Sequence, residues 1–158
     1  MVAHDKNGLE VLDRAECLTL LSEARTGRVG VSVRALPVIL PVNYALMGDA
    51  IVLRSVSGSK LDAALAGAVV AFEVDQLHEH TAGGWSVLVQ GVATVLKEPT
   101  ELARAETLGL RPWVNGRNDR YVKISTDVIS GRRLSPSMVL AGDHPSRDAK
   151  HPAVGEPG

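Results

Sequence analysis

A group of positively charged and hydroxyl side chains follows an apolar segment near the middle of the chain. The apolar segment ends in Arg54 and Ser55, and the chain then turns at Gly58. A helix is predicted to begin directly afterwards, at Ser59 and Lys60. This order brings two cations, hydroxyl groups and the free N–H groups of a helix start into one small volume. Because arginine pairs with phosphate oxygens and lysine acts as a point charge, the segment predicts a site for a phosphate monoester.

The same residues also have a purely structural explanation. Ser59 and Asp62 have the spacing of a capping box, which occurs wherever a helix begins. Arg54 and Lys60 would then be charged side chains in solvent, as most exposed charges are. Taken alone, these residues leave both explanations open, and the choice between them depends on the rest of the chain.

Alternating and continuous apolar segments predict a mainly β protein of the α+β class. The predicted strands are residues 29–33, 38–46, 50–55, 68–75, 85–96, 120–125 and 128–134. The predicted helices run from the N-cap residue Asp13 to a stop at Gly27, over 59–67, and from 98 to about 109. Pro41 cannot donate a main-chain hydrogen bond, so its strand is expected to lie at an edge, a bulge or a break in pairing. About six strands with short hairpins and one crossover helix favour a closed or split barrel over a parallel α/β sheet.

Composition and charge narrow the class of protein. The 158 residues, 45% hydrophobic and 22% charged, predict one soluble domain with a substantial core. We expect residues 12–140 to form this domain, after an N-terminal extension over 1–11 and before a disordered tail at 141–158. A net charge of −1 gives no reason to expect nucleic acid or a membrane surface as partner. The N-terminus lacks the apolar core of a signal peptide and no apolar run could span a bilayer, so a cytoplasmic location is expected.

Four other side chains could in principle take part in catalysis or ligand binding, but structural explanations are favoured for them. The single cysteine, Cys17, lies in a helical pattern and is expected to fill space in the core. His78 and His80 have a spacing found in some metal sites, but they lie in a predicted polar loop over 76–84 with no third ligand nearby. No metal site is therefore predicted. Trp113 is expected to pack against the barrel or a second subunit rather than to cover a substrate.

The order of three segments resembles the pyridoxamine 5'-phosphate oxidase-like family. The segments are Pro37–Tyr44, then Leu53–Ser55 with Ser59 and Lys60, and then Ser86–Gly91. The resemblance covers about residues 12 to 136, and it implies a six-stranded split β-barrel of Greek-key topology with flanking helices. Members of this family bind flavin mononucleotide (FMN) at a homodimer interface, so the resemblance implies FMN as cofactor and a second copy of the chain as partner.

The resemblance also implies which residues would bind the cofactor. Main-chain groups of Val42 and Asn43 would contact the flavin edge. The residues that would hold the phosphate are Arg54, Ser55, Ser59 and Lys60. Ser86, together with Trp85, would approach the flavin from a neighbouring strand or from the second subunit. Trp85 has a second explanation, as a plug at one end of the barrel.

The implied activity is that of an FMN-dependent oxidoreductase, with hydride passing between flavin N5 and a small-molecule substrate or NAD(P)H. Oxidation of pyridoxamine phosphate itself is not expected, because members with that activity carry an Arg-x-His pattern near the C-terminus and this chain has none. No acid–base residue is assigned. One alternative is a deazaflavin coenzyme, whose longer anionic tail would need cations such as Arg28, Arg34 and Arg117. The other alternative is a non-catalytic protein that binds flavin or haem.

Overall fold

The computed structural model of the protein describes residues 3–78, 80, 83–111 and 119–134. The strands are β1 (Glu10–Leu12), β2 (Thr26–Val33), β3 (Leu36–Met47), β4 (Ala50–Val56), β5 (Val69–His78), β6 (Gly83–Val95), β7 (Asp119–Ile124) and β8 (Val128–Leu134). The helices are α1 (Arg14–Glu23), α2 (Lys60–Leu65) and α3 (Pro99–Glu106). The expected tail at 141–158, Trp113 and Arg117 lie outside the described residues, so the predictions about them stay predictions.

Six strands of the described chain close into a ring. Their order is β6-β5-β2-β3-β4-β7, neighbouring strands are antiparallel, and β7 pairs back with β6. Within it, the meander β2-β3-β4 is followed by β5, which returns through α2 to lie beside β2, and this is Greek-key topology. The predicted six-stranded Greek-key barrel with flanking helices is confirmed. β8 adds to β6 outside the ring, and β1 adds to β8.

Three details differ from the expectations drawn from the sequence. β1 was not predicted, because a three-residue strand is too short to show an alternating pattern. The helix stop predicted at Gly27 is wrong, since Gly27 lies in β2, where an added Cβ would overlap the ring of Phe72. The polar loop predicted over 76–84 is shorter than expected, because β5 extends to His78 and β6 begins at Gly83.

β3 and β6 each belong to both sheets of the barrel. β3 pairs with β2 over Leu36–Asn43 and with β4 over Tyr44–Met47. β6 pairs with β5 over most of its length and with β7 only at its end. The two strands therefore form the corners at which the barrel splits into two sheets.

The barrel interior is filled by small branched side chains around Tyr44 and Phe72. The two rings lie edge to face, with their centroids 4.9 Å apart. The Tyr44 hydroxyl donates a hydrogen bond to the carbonyl oxygen of Leu21 at 2.6 Å, which fastens α1 to the barrel. Burial raises the pKa of the Tyr44 phenol. Tyr44 thus links the aromatic pair of the core to α1.

A second, smaller apolar cluster covers the other face of β4 and β7. Its buried members are Met47, Val52, Leu96, Ala105 and Leu110. Ala105 comes from α3, and Leu110 comes from the segment that follows this helix. β4 and β7 therefore have an apolar cluster on each face.

Candidate functional site

Arg54 lies near the end of β4, and its guanidinium is paired with a buried carboxylate. Arg54 Nη2 donates to Asp119 Oδ2 at 2.7 Å, and Arg54 Nη1 donates to the carbonyl oxygen of Leu110 at 3.1 Å. The guanidinium also lies over the ring of Tyr121, 5.4 Å from the centroid. Arg54 therefore has three protein partners on the α3 side of the sheet.

Ser55 points away from Arg54, because successive side chains leave a strand on opposite faces. Ser55 lies on the same side of β4 as Ile51 and Leu53, which belong to the main core. Its side chain is buried, and its hydroxyl has no hydrogen-bond partner among the described residues. Arg54 and Ser55 are thus neighbours in sequence whose side chains enter different environments.

α2 begins directly after β4, with Ser59 as its N-cap residue. The Asp62 N–H donates to Ser59 Oγ at 3.0 Å, and the Gly58 N–H donates to Asp62 Oδ2 at 2.9 Å. The predicted role of Ser59 and Asp62 in starting the helix is confirmed. Lys60 occupies the first position of the helix. The Ser59 hydroxyl accepts a bond from the helix and keeps its own O–H for a further acceptor.

Two buried carboxylates balance the cations in this region. Asp119 is paired with Arg54, and Asp62 lies 3.7 Å from the guanidinium of Arg120. The sequence does not predict a role for Asp119 and Arg120, because the contact of Asp119 with Arg54 spans 65 residues and arises only from the pairing of β4 with β7. The only local signal for Asp119 and Arg120 is that they form a polar pair directly before the alternating residues that begin at Tyr121.

Val42 and Asn43 lie at the point where β3 leaves β2 and joins β4. Over Leu36–Asn43, β3 has β2 on one side and no other strand of the described chain on the opposite side. The main-chain N–H and C=O groups that point to this open side have no partner strand. The edge expected at Pro41 is therefore confirmed. An open backbone edge of this kind can bind a planar ligand that carries both donors and acceptors.

Asn43 and Arg54 are brought together by one short segment after α3. Asn43 Nδ2 donates to the carbonyl oxygen of Arg111 at 3.3 Å, and Arg54 donates to the preceding carbonyl, that of Leu110. Thr26 Oγ1 also donates to Asn43 Oδ1 at 3.3 Å. Residues predicted for the flavin edge and for the phosphate thus share a neighbourhood, as a common ligand would require.

Trp85 and Ser86 point to opposite sides of β6. Trp85 packs against the main core, which agrees with its explanation as a plug of the barrel. Ser86 lies on the outer face, in register with Asp75 of β5 and Arg132 of β8. The order β3-β2-β5-β6 places Ser86 three strands from Asn43, about 14 Å at the usual spacing of strands. Within one chain, Ser86 therefore does not join the other predicted residues.

A cavity of about 560 Å³ adjoins the partners of Arg54 on the α3 side of β7. Its charged lining residues are Lys97, Glu106, Asp119 and Arg120. Tyr121 and apolar side chains from β6 and α3 complete the lining. Because both signs of charge are present, the cavity itself selects for neither anions nor cations.

The part of the chain that the structure describes contains neither a metal cluster nor a membrane-spanning helix. No three His, Cys, Asp or Glu side chains in it are placed to hold a metal ion. His78 ends β5, and His80 lies in the turn that follows. None of its helices is long and apolar enough to cross a membrane.

Comparisons with a family model and with a similar protein sequence point to the same protein family. The family model described as pyridoxamine 5'-phosphate oxidase matches residues 13–133, well over half of the chain. An uncharacterized protein of Mycobacterium tuberculosis is 38% identical over 128 residues, which cover 78% of this chain and 84% of that protein.

Solved structures are similar in both fold and sequence. The FAD binding protein from Mycobacterium smegmatis is 31% identical with a TM-score of 0.70, over 78% of this chain and 98% of that chain. A conserved protein of unknown function from Corynebacterium diphtheriae is 32% identical with a TM-score of 0.65, over 78% of this chain and 96% of that chain. By its sequence and by its barrel, the chain belongs to the pyridoxamine 5'-phosphate oxidase-like family of split β-barrel proteins.

Proposed function

We propose that the protein is an FMN-binding oxidoreductase that acts on a small molecule as a homodimer. The observation that carries this proposal is the open side of β3, which ends at Val42 and Asn43 beside the segment that also binds Arg54. This edge offers main-chain donors and acceptors to the pyrimidine edge of a flavin. Membership of the family supports a flavin, and the similar protein from M. smegmatis is an FAD binding protein.

The residues at the end of β4 and the start of α2 fit a phosphate group through their donors. The hydrogen bonds that Arg54 donates to Leu110 and Asp119 occupy one N–H of Nη1 and one of Nη2, so the guanidinium retains further N–H donors. These include the buried Nε, which has no partner in the described part of the chain. Ser59 retains its O–H, and Lys60 is placed at the helix start by its position in the chain. Ser55 is the least suited of the predicted phosphate ligands, because its hydroxyl lies on the core side of β4.

When bound, FMN supplies a ring that accepts or donates a hydride at N5, while the chain binds it, orients it and excludes water. We propose NAD(P)H or another small molecule as the partner in this transfer, and a cytoplasmic location. Pyridoxamine phosphate is not proposed as the substrate, because the chain lacks the Arg-x-His pattern.

The outer face of the sheet supports a homodimer. Its exposed apolar side chains include Ile39 (70% exposed), Val69 (76%), Val92 (45%) and Val128 (56%). Residues that lie directly opposite one another on neighbouring strands form a row across five strands, which consists of Ile39, Gly30, Ala71, Gln90 and Val128. This row, with small residues at its centre, suits close packing of a second copy. We propose that the second copy covers this face and brings its own Ser86 to the open edge of β3.

A deazaflavin coenzyme is the alternative cofactor, and its anionic tail would need further cations. Arg28, one of the cations considered for that role, donates to Asp75 at 2.6 Å and to Glu73 at 3.0 Å. These two carboxylates neutralise Arg28. FMN, with its single phosphate, needs no such additional cation and is therefore preferred.

The test is the visible spectrum of the purified protein before and after addition of FMN, followed by gel filtration. Parallel titrations with FAD and a deazaflavin coenzyme should give dissociation constants at least about tenfold higher than that of FMN. A protein that retains neither FMN, nor FAD, nor the deazaflavin coenzyme would contradict the proposal. Anaerobic bleaching of the bound flavin by NAD(P)H then distinguishes an oxidoreductase from a non-catalytic binder of flavin or haem, which no electron donor would bleach.

A further inference from the structure

We propose that Asp119 weakens FMN binding by competing with the cofactor phosphate for the guanidinium of Arg54. The inference rests on the proposed function and adds a residue that sets cofactor affinity without itself binding the cofactor. Asp119 is the first residue of β7, and the pairing of β7 with β4 holds it beside Arg54. In this arrangement, the ease with which the protein releases its flavin depends on one carboxylate.

The contact between Arg54 and Asp119 uses one of the two hydrogen bonds that such a pair can form. Arg54 Nη2 donates to Asp119 Oδ2 at 2.7 Å. Arg54 Nε and Asp119 Oδ1 are both buried, and neither has a partner among the described residues. A guanidinium and a carboxylate joined by two parallel bonds form the stronger arrangement. Exchange of Asp119 for a phosphate oxygen therefore breaks a single side-chain bond.

The burial of Asp119 makes it an effective competitor. Its side chain is 5% exposed, whereas that of Arg54 is 27% exposed and can be reached from solvent. Charges enclosed by protein are screened much less by salt than charges at the surface. The carboxylate attracts Arg54 and also repels a phosphate that approaches Arg54. Both effects make the phosphate-bound state less favourable.

A purely structural role for this pair leads to a different expectation. Arg54 also donates to Leu110 and lies over Tyr121, so the pair could serve only to fasten β7 to β4. In that case, removal of the Asp119 charge would lower stability and would affect flavins with and without a phosphate alike. Riboflavin, which lacks the phosphate of FMN, distinguishes the two roles.

The experiment compares the wild-type protein with Asp119→Asn and with Glu106→Gln. Glu106 lines the same cavity as Asp119, and its carboxylate forms no ion pair in the described part of the chain, so it is a matched control. Dissociation constants for FMN and for riboflavin are measured by quenching of flavin fluorescence at low ionic strength. For Asp119→Asn we expect an FMN dissociation constant about tenfold lower and an unchanged riboflavin constant, since one charged competitor is removed. Glu106→Gln should change neither.

An FMN constant that is unchanged or higher in a folded Asp119→Asn protein overturns the inference and leaves the proposed function standing. If the wild-type protein binds neither flavin, the proposed function fails and the inference fails with it. If Asp119→Asn does not fold, the structure of the wild-type complex with FMN decides. Separation of Arg54 from Asp119 in that complex supports competition, and an intact pair overturns it.

Discussion

Gly91 of β6 packs against the main chain of Ser125 so closely that a Cβ on Gly91 would overlap the Ser125 carbonyl oxygen. Val92, the next residue, forms two hydrogen bonds with Ser125. The Val92 N–H donates to Ser125 Oγ at 3.1 Å, and the Ser125 N–H donates to the Val92 carbonyl oxygen at 3.2 Å. These contacts lie where β6 stops pairing with β5 and begins to pair with β7. Closure of the ring therefore requires a residue without a side chain at position 91.

Replacement of Gly91 by alanine should lower the free energy of unfolding by about 3 kcal/mol, because the new methyl group meets main-chain atoms that cannot move aside. Urea denaturation measures the change. Gly30→Ala is the control, since its Cβ would lie 3.5 Å from the Ala71 Cβ, an ordinary contact. Equal losses in the two variants would show that the contact with Ser125 has no special role.

Replacement of Arg54 by alanine should weaken FMN binding by about 1.5–3 kcal/mol, roughly 10- to 150-fold, because a charge-assisted hydrogen bond to the phosphate is lost. Titration calorimetry measures this change, and riboflavin affinity should stay the same. The variant should also unfold more easily, by about 3 kcal/mol, because Asp119 is left buried without its partner. Arg104→Ala, which removes an exposed cation from α3, is the control. An unchanged FMN affinity would remove Arg54 from the phosphate site.

Stability at high pH should report the burial of Tyr44. Burial raises the pKa of this phenol above its ordinary value of 10.0, so the folded protein stays protonated at pH values where the unfolded chain ionises. The unfolded state then binds fewer protons, and the free energy of unfolding falls as pH rises above about 10, by up to about 1.4 kcal/mol per pH unit. Below that pH, the full contribution of Tyr44 is present.

Tyr44→Phe isolates this effect. Because the variant lacks the hydrogen bond to Leu21, its free energy of unfolding at neutral pH should be about 1 kcal/mol lower than that of the wild-type protein. Above pH 10, its stability should fall less steeply. Urea midpoints across the alkaline range measure both changes, with Tyr121→Phe as the control at a less buried ring. Parallel pH profiles for the wild-type protein and Tyr44→Phe would contradict the assignment.

Replacement of Ile39 by glutamate should separate the proposed homodimer, because it places an unpaired charge within the proposed apolar contact. Light scattering coupled to gel filtration measures the mass, and FMN retention should fall with it. Leu36→Glu is a close control, since Leu36 is 68% exposed and alternation places it on the other face of β3. A dimer that survives Ile39→Glu would exclude the outer face as the interface.

Local signals in the sequence predicted most of the elements. Asp13 and Glu16 predicted the start of α1, and the Glu16 N–H donates to Asp13 Oδ1 at 2.9 Å. Ser59 predicted the start of α2, and Pro41 predicted a strand edge. Each of these features depends on residues only a few positions apart, so the sequence displays them directly.

Contacts between distant segments could not be predicted in the same way. The pairing of Arg54 with Asp119 depends on β7 lying beside β4, which no local pattern encodes. Alternation along β4 does imply that Arg54 and Ser55 point in opposite directions, but the phosphate hypothesis grouped them as sequence neighbours. Gly27 was assigned to a helix end because the apolar helical pattern stops nearby, whereas its actual requirement comes from Phe72, a residue of another strand.

β1 has a consequence for the colloidal behaviour of the protein. It is a three-residue edge strand, held to β8 by the ion pair of Arg133 with Glu10 at 2.8 Å and flanked by that of Arg132 with Asp5 at 3.0 Å. Short, charged edge strands offer little template for the strand of another molecule. β1 pairs with Gly131–Arg133, so without this segment the outer main-chain groups of these three residues of β8 would be exposed. The residues before α1 thus protect the sheet against edge-to-edge aggregation. A variant that begins at Asp13 should therefore precipitate on storage.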